Sequence, residues 1–476
     1  MKEFLSIALI LAFLTPPLLS ASTVAIVSGR ATQDGRALLM KLRDNTEDDQ
    51  EFFYCDVGPY AFIGVTYTDI TDQAWGGINE VGFAVVNSNA WNFNDPVPGQ
   101  DDDGYIMYLA LRTCATVMDF QNIMDSTNVG RTRCANYGVI DSTGAGAFFE
   151  AAAYTYYRHD LDDSTAAPNG YMVRANFAYS GGTYHLGQHR HDRALALLDS
   201  AFAGNFITHR YITQIIQRDL VNEVASPYPL PFRGRQNLLP YGIIRTHDAL
   251  NRDITRSGMV IQCALPGEGP LLSTLWALLG EPVAVPALPL WVHAGSVPPE
   301  FDSPGGAPLN QRAQQIRDYL YRREIANDAL DTWLLTDERN DGVLPLLVNL
   351  ENQAENRADS ALAVWRAGAL PAPAEVAALQ NEIAASTYSV LNAWSPPMSP
   401  TVTITRLPGN LIQLDWEPVT HDVFNRPLVV SAYTIYASVN QFYNRLRGDS
   451  LLTVSSPPVI LTQNEENRLY QVRCRP

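Results

Sequence analysis

The sequence predicts an α+β fold, on three observations. Its first two hundred or so residues alternate short apolar runs with Gly, Asn and Asp turn signals, the pattern of hairpins. Helix-forming stretches interrupt and follow those hairpins without a strict strand-helix alternation, which argues against a doubly wound parallel sheet. Behind a proline-rich break, the last eighty or so residues return to short β-branched and aromatic runs, as in a β-sandwich.

Taken in order, an apolar run over residues 4–14 follows Lys2, Pro16-Pro17 end it, and Leu19-Ser20-Ala21 offer the small residues that a signal peptidase accepts. Residues 1–21 therefore read as a secretory signal peptide, too short to remain as a membrane anchor. No later run is long and apolar enough to span a bilayer, so the expected location is secreted, periplasmic or at a cell surface. Residues 22–29 read as a strand, Asp34-Gly35 as its turn and 36–43 as the returning strand. Strands are expected at 60–67 and 83–89, with Asn79-Glu80-Val81-Gly82 as the turn before the second. Residues 105–114 read as a helix, and Thr116 with Asp119 has the spacing of a capping box opening another. A hairpin spans 137–141 and 145–159 around Ser142-Thr143-Gly144; a strand at 171–179 and helices at 189–202 and 207–222 follow.

Helical composition returns at 310–326, 344–367 and 374–392. Pro396-Pro397-Met398-Ser399-Pro400 reads as a linker, and 402–405, 411–416, 428–437 and 469–474 as strands. The expected organisation is a main domain at 22–305, a helical segment associated with it at 306–395, and a β-sandwich at 396–476.

The composition narrows the function classes. A net charge of −17 argues against nucleic acid and anionic membrane surfaces as partners. No phosphate-binding glycine loop or dinucleotide fingerprint is present. His185, His189 and His191 beside Asp192 match no zinc spacing. Asp101-Asp102-Asp103-Gly104 lacks the glutamate of a calcium loop and reads as a solvated loop. No metal and no cofactor are therefore expected. Five cysteines without a Cys-x-x-Cys pair read as buried, inert thiols.

Chemistry is expected at the leader junction. Cleavage after Ala21 gives Ser22 both a hydroxyl nucleophile and an α-amine, which titrates near about 8 and accepts the hydroxyl proton when neutral. Cleavage one residue later would expose Thr23 instead. Lys41 and Arg43 share a strand face, and a cation near the amine lowers its pKa. Asp44 is placed to orient the amine. Asn87 and Asn89 also share a face, and an amide donor to an oxyanion is worth about 2.7–4 kcal/mol. Asn79 reads as structural. Glu150 reads either as a buried ion pair or as a carboxylate on the substrate side, and Tyr154, Tyr156 and Tyr157 read as strand packing.

Several motifs stand in a telling order: Ser22-Thr23-Val24-Ala25-Ile26-Val27, Ala31-Thr32-Gln33-Asp34-Gly35-Arg36, Lys41-Leu42-Arg43-Asp44, Gly77-Ile78-Asn79-Glu80-Val81-Gly82-Phe83, Val173-Arg174-Ala175-Asn176-Phe177 and Arg190-His191-Asp192-Arg193. Together they resemble N-terminal-nucleophile amidases, especially the choloylglycine hydrolase and isopenicillin-N acyltransferase-like families. The likeness covers about residues 22–200. Pro270 to Trp276, Gly280-Glu281-Pro282 and Pro289-Leu290-Trp291 extend it to about residue 300. Two departures stand out: Ser22 occupies the place of the families' cysteine, and Leu42 that of their asparagine. Serine and threonine act as nucleophiles in related enzymes such as penicillin G acylases.

The resemblance implies a four-layer αββα fold and a cofactor-free site. Asn89, twelve residues after Gly77, matches the oxyanion asparagine in preference to Asn87. Asn176 matches the second polar positioning residue, and Arg190 or Arg193 the ordering arginine. The implied catalytic set is Ser22, Lys41, Asp44, Asn89, Asn176 and Arg190. The implied activity is hydrolysis of linear amide C–N bonds, or acyl transfer, on a small N-acyl substrate. One rival is a dipeptidase of the related kind, whose Ala-Thr-x-Asp-Gly opening is similar. Another is a non-catalytic surface or binding protein on the same scaffold. The stretch from Asn410 through Trp416 to Val419 resembles the early strands of a fibronectin type III domain, which implies a spacer or a cell-surface contact.

Overall fold

The structure, a computed structural model, describes residues 21–93, 95–337, 340–438, 449–462 and 469–475. Apart from Ala21, the expected leader lies outside them. Strands β1 (Ala21–Val27) and β2 (Leu38–Asp44) form the central hairpin, with Ala21 opposite Asp44 and Val27 opposite Leu38. Thr23, Val24, Ile26 and Val27 are β-branched and suit a strand. Every residue of both strands is buried, as expected where a hairpin is covered on both faces.

A second sheet follows as a seven-stranded meander: β3 (Gln50–Cys55), β4 (Phe62–Tyr67), β5 (Gly77–Asn79), β6 (Ala84–Asn89), β7 (Ala135–Ile140), β8 (Gly146–Ala151) and β9 (Tyr156–Asp160). Between β6 and β7, α1 (Asp103–Thr113) and α2 (Val117–Ser126) cover its outer face, Phe120 of α2 packing on Phe83 and Phe149 in a cluster that includes Val85. Thr116 and Asp119 make the reciprocal capping box. Asn79 is structural: its Nδ2 donates to the Leu111 and Cys114 carbonyls at the end of α1.

β10 (Tyr171–Arg174) flanks β1, and α3 (Gln188–Ala203) packs beside it, burying Ala194, Leu198 and Ala201. After α4 (His209–Tyr211), β11 (Ile243–Arg245) makes a separate two-stranded sheet with β15 (Ala329–Asp331). β12 (Thr255–Gln262), β13 (Thr274–Leu278) and β14 (Leu288–Leu290) complete the six-stranded sheet, in the order β10-β1-β2-β12-β13-β14. The two large sheets meet where β1 and β2 pack on β6 and β7. Gly138 permits that approach, since a Cβ there would meet Ile26 Cγ2 at 3.0 Å. Helices α5 (Pro308–Leu320), α6 (Thr332–Leu335), α7 (Val343–Ala367) and α8 (Pro373–Ala393) join the same apolar core, a cluster running from Val24 to Leu391.

The C-terminal part holds β16 (Thr403–Leu407), β17 (Leu411–Asp415) and β20 (Val459–Thr462) in one sheet. The other contains β18 (Ala432–Ser438), β19 (Asp449–Val454) and β21 (Leu469–Arg475). Ile412, Leu414, Trp416, Tyr433, Ile435, Val459 and Val472 form a shared apolar cluster.

Several elements depart from expectation. β3 was not anticipated. The expected 145–159 strand breaks into β8 and β9 where Ala152 N donates to the Thr155 carbonyl. The 171–179 strand stops at Arg174, because Asn136 and Asn92 side chains take over the backbone bonding of Phe177 and Ala178. The 207–222 helix is replaced by α4 and a π turn at Ile212–Ile216, where four of five residues are β-branched and crowd a helix. The 428–437 strand begins only at Ala432, Leu428 N being bonded to the Thr420 carbonyl in a loop.

Candidate functional site

The site grows from the first residues of β1. β10 pairs with β1 only from Val24 onward, so at Ser22 the ladder on that side has ended. A buried N–H must find another acceptor, and Ser22 N donates to Asn176 Oδ1 at 3.2 Å. Asn176 Nδ2 in turn donates to the Asn89 carbonyl at 3.2 Å. From α3, Arg190 Nη1 donates to the Ser22 carbonyl at 3.0 Å and to Thr23 Oγ1 at 2.8 Å, while Nη2 reaches Asn176 Oδ1 at 2.6 Å. Asp44 Oδ2 lies 3.7 Å from Arg190 Nη1 and 3.0 Å from Arg252 Nη1, and its Oδ1 accepts from Thr255 Oγ1 at 2.7 Å. Ser22, Asp44, Asn89, Asn176 and Arg190 thus meet in one network.

Strand pairing sets which way each group points, because directly opposed residues share a face. Ser22 opposes Arg43 and Val24 opposes Lys41, so these four face the seven-stranded sheet. Ala21 opposes Asp44 and Thr23 opposes Leu42, and this set faces α3. Ser22 is 6% exposed. Arg43 donates to Gln50 Oε1 at 2.5 Å and lies 4.5 and 4.7 Å from the ring centroids of Tyr67 and Trp75.

Lys41 reaches across to β6, where its Nζ donates to the Asn87 carbonyl (2.9 Å) and Oδ1 (2.5 Å). Asn87 Nδ2 donates to Asp103 Oδ2 at 2.9 Å. Burial, then the charge of Arg43, pushes Lys41 well below the usual lysine range against the opposing pull of Asp103 and Asp44. Burial raises Asp103, although the Asn87 bond and Lys41 oppose it. Arg190 is brought down to about 10 by burial and Arg252, against Asp44 and Asp248.

Two cavities flank the network. One of about 520 Å³ lies on the α3 side, lined by Ala21, His189, Arg190 and Arg252 among others. The other, about 260 Å³, includes Asn89, Tyr67, Trp75 and Asp103. Ser22 lines neither.

The expected solvated loop at Asp101-Asp102-Asp103-Gly104 is corrected: Asp102 accepts the backbone N–H groups of Thr132 and Arg133 at 3.0 Å each, and Asp103 is buried at the start of α1. Glu150 resolves as a buried ion pair, 2.6 Å from Arg174 Nε. Burial alone would raise its pKa; His159, Arg174 and the amides of Ser180 and Tyr179 together hold it down at about 2. Of the three tyrosines, Tyr156 packs on the core, while Tyr154 and Tyr157 are exposed. His185 bonds to Gln188, His189 to the Asp248 carbonyl, and His191 to Tyr179 and Asp192. The sequence reading missed Asp103, Arg252 and Thr255. A buried acidic residue opening α1 was the one available signal, since the other two join Asp44 only through tertiary folding.

No known family model matches the chain, and no curated protein matches it. Similar solved structures include a variant of conjugated bile acid hydrolase from Clostridium perfringens, at 12% identity over 54% of this chain and 89% of that one, with a TM-score of 0.33. A Caenorhabditis elegans ortholog of N-acylethanolamine-hydrolyzing acid amidase shows 13% identity over 52% of this chain and 93% of its own, with a TM-score of 0.33. Penicillin V acylase from Agrobacterium tumefaciens shows 15% identity over 56% and 85%, with a TM-score of 0.32. Identities and scores this low transfer no activity to the chain.

Proposed function

We propose that the chain is a secreted hydrolase, or acyltransferase, of linear amide bonds that uses Ser22 as an N-terminal nucleophile on a four-layer αββα scaffold. The observation that carries this reading is the Ser22 nitrogen, buried where the β10 ladder stops and held by an Asn176 side chain that Arg190 also grips. After removal of residues 1–21 that nitrogen becomes an α-amine with an acceptor already in place. Arg190, bonded to the Ser22 carbonyl, and Arg43, opposite Ser22, are the cations that lower its pKa and raise the neutral fraction. Lys41 acts one step back as a positioning residue, fixing Asn87 and through it β6.

In the proposed cycle the Ser22 hydroxyl attacks the amide carbonyl and the α-amine takes its proton. Asn89 and a backbone N–H stabilise the oxyanion. The protonated amine gives its proton to the leaving nitrogen, and water, or an acceptor amine, then resolves the acyl-enzyme. The C-terminal sheets, on the fibronectin type III resemblance, serve as a spacer or cell-surface contact. Mass spectrometry of the exported protein is expected to find Ser22 as the first residue. Ser22→Ala is expected to lower kcat by on the order of 10³-fold or more, and an activated ester to add mass to the terminal peptide of the unmodified protein only. A blocked terminus, or full activity in the alanine variant, would remove the mechanism.

A further inference from the structure

The 260 Å³ cavity beside Asn89 has a chemical character that bears on the substrate, granted the amide-hydrolase reading. It is smaller than the pockets that hold drug-sized ligands, about 300–1,000 Å³. Its walls combine the rings of Tyr67 and Trp75 with the amides of Gln100 and Asn89, and among the described residues its only charged side chains are Asp101 and Asp103. The two carboxylates differ in their surroundings. Asp101 is half-exposed and paired with Arg133. Asp103 is 6% exposed, and among the described residues its carboxylate accepts a side-chain hydrogen bond only from the neutral Asn87 amide, at 2.9 Å. Lys41, whose charge acts on Asp103, spends its hydrogen bonds on Asn87 instead of on the carboxylate. A buried carboxylate without a contacting cation is costly, and an ammonium group entering the cavity would complete the pair.

We propose that this cavity binds a protonated primary amine carried by the substrate a few bonds from the scissile carbonyl, with Asp103 as the anchoring carboxylate. The substrates would then be short, polar, amine-bearing amides rather than long acyl chains, whose apolar length neither the volume nor the lining accommodates.

The test uses the full chain carrying Ser22→Ala, with calorimetric binding of 4-aminobutanamide and its uncharged counterpart pentanamide. The amine is expected to bind at least tenfold more tightly, and Asp103→Asn to erase that preference. Because Asp103→Asn also disturbs the Asn87 bond, Gln100→Glu and Gln100→Lys provide a second arm: the first should tighten the amine and the second weaken it, each by severalfold. Equal affinity for the two amides, or Gln100 variants that do not separate, would overturn the inference. Turnover by the unmodified protein separates it from the underlying reading. Preferential amine binding without any amide hydrolysis would remove the hydrolase reading and leave the cavity assignment. Equal hydrolysis of 4-aminobutanoyl and pentanoyl anilides would do the reverse.

Discussion

At the scale of single residues, Ser22 gains its setting from what its neighbours lack. The ladder partner missing beyond Arg174 makes room for a side-chain acceptor, and Asn176 supplies one. A thiol at this position would be a better nucleophile near neutral pH than the hydroxyl. Ser22→Cys is therefore expected to keep amidase activity and to become sensitive to iodoacetamide. Activity of the unmodified protein should resist it: burial pushes the Cys114, Cys134 and Cys263 thiols up to about 12 and Cys474 to about 11, and the half-buried Cys55, on β3, is not part of the Ser22 network. Inactivation of the unmodified protein by the reagent would count against a serine nucleophile. Much of the network was legible because Ser22, Asp44, Asn176 and Arg190 each sit inside a short motif and Asn89 stands at a fixed spacing from another. Arg252 and Thr255 were not, since they reach Asp44 from more than two hundred residues away and no local pattern marks them.

At the scale of elements, the start of α3 fixes Arg190. Gly187 precedes the helix at φ 82°, and a Cβ there would sit 2.4 Å from Arg190 Nη2. Gly187→Ala is expected to cost about 1–2 kcal/mol from the left-handed backbone alone, and also to lower kcat by pushing Arg190 off Asn176. Calorimetric melting and steady-state kinetics check the two effects; an unchanged kcat would mean that the arginine is dispensable. A second tie links the sheets: Glu150 on β8 pairs with Arg174 on β10. Its folded pKa, about 2, lies below the ordinary glutamate value. It therefore contributes stability that is fully present above about pH 4.3 and is lost as pH falls through its folded value. Glu150→Gln should flatten the acid limb of the stability curve over that window in urea titrations. Sequence reading located the β1-β2 hairpin, the capping box and the long helices, whose signals are local. It missed β3 and overran β10, where strand ends depend on which distant side chains capture the backbone.

At the scale of the molecule, the C-terminal part is fastened to α5 and the end of α8 by a ring cluster of Tyr319, Trp394 and Phe424. The Arg312 guanidinium lies 4.0 Å from the Phe424 ring and donates to the Leu391 and Trp394 carbonyls. Phe424→Ala is expected to loosen this junction by about 1–3 kcal/mol, less than a fully buried phenylalanine would. The readout is faster proteolysis at the 396–400 segment with amidase kinetics unchanged; undiminished protection would place the attachment elsewhere. Granted the proposed removal of residues 1–21, one feature of β1 also sets the order of events. Ala21 is already zipped opposite Asp44 and shielded from solvent. A peptidase needs an extended, accessible bond, so on that proposal trimming precedes consolidation of the hairpin. On the proposed processing, a molecule that matured its core before export would keep residues 1–21, correctly shaped and inert.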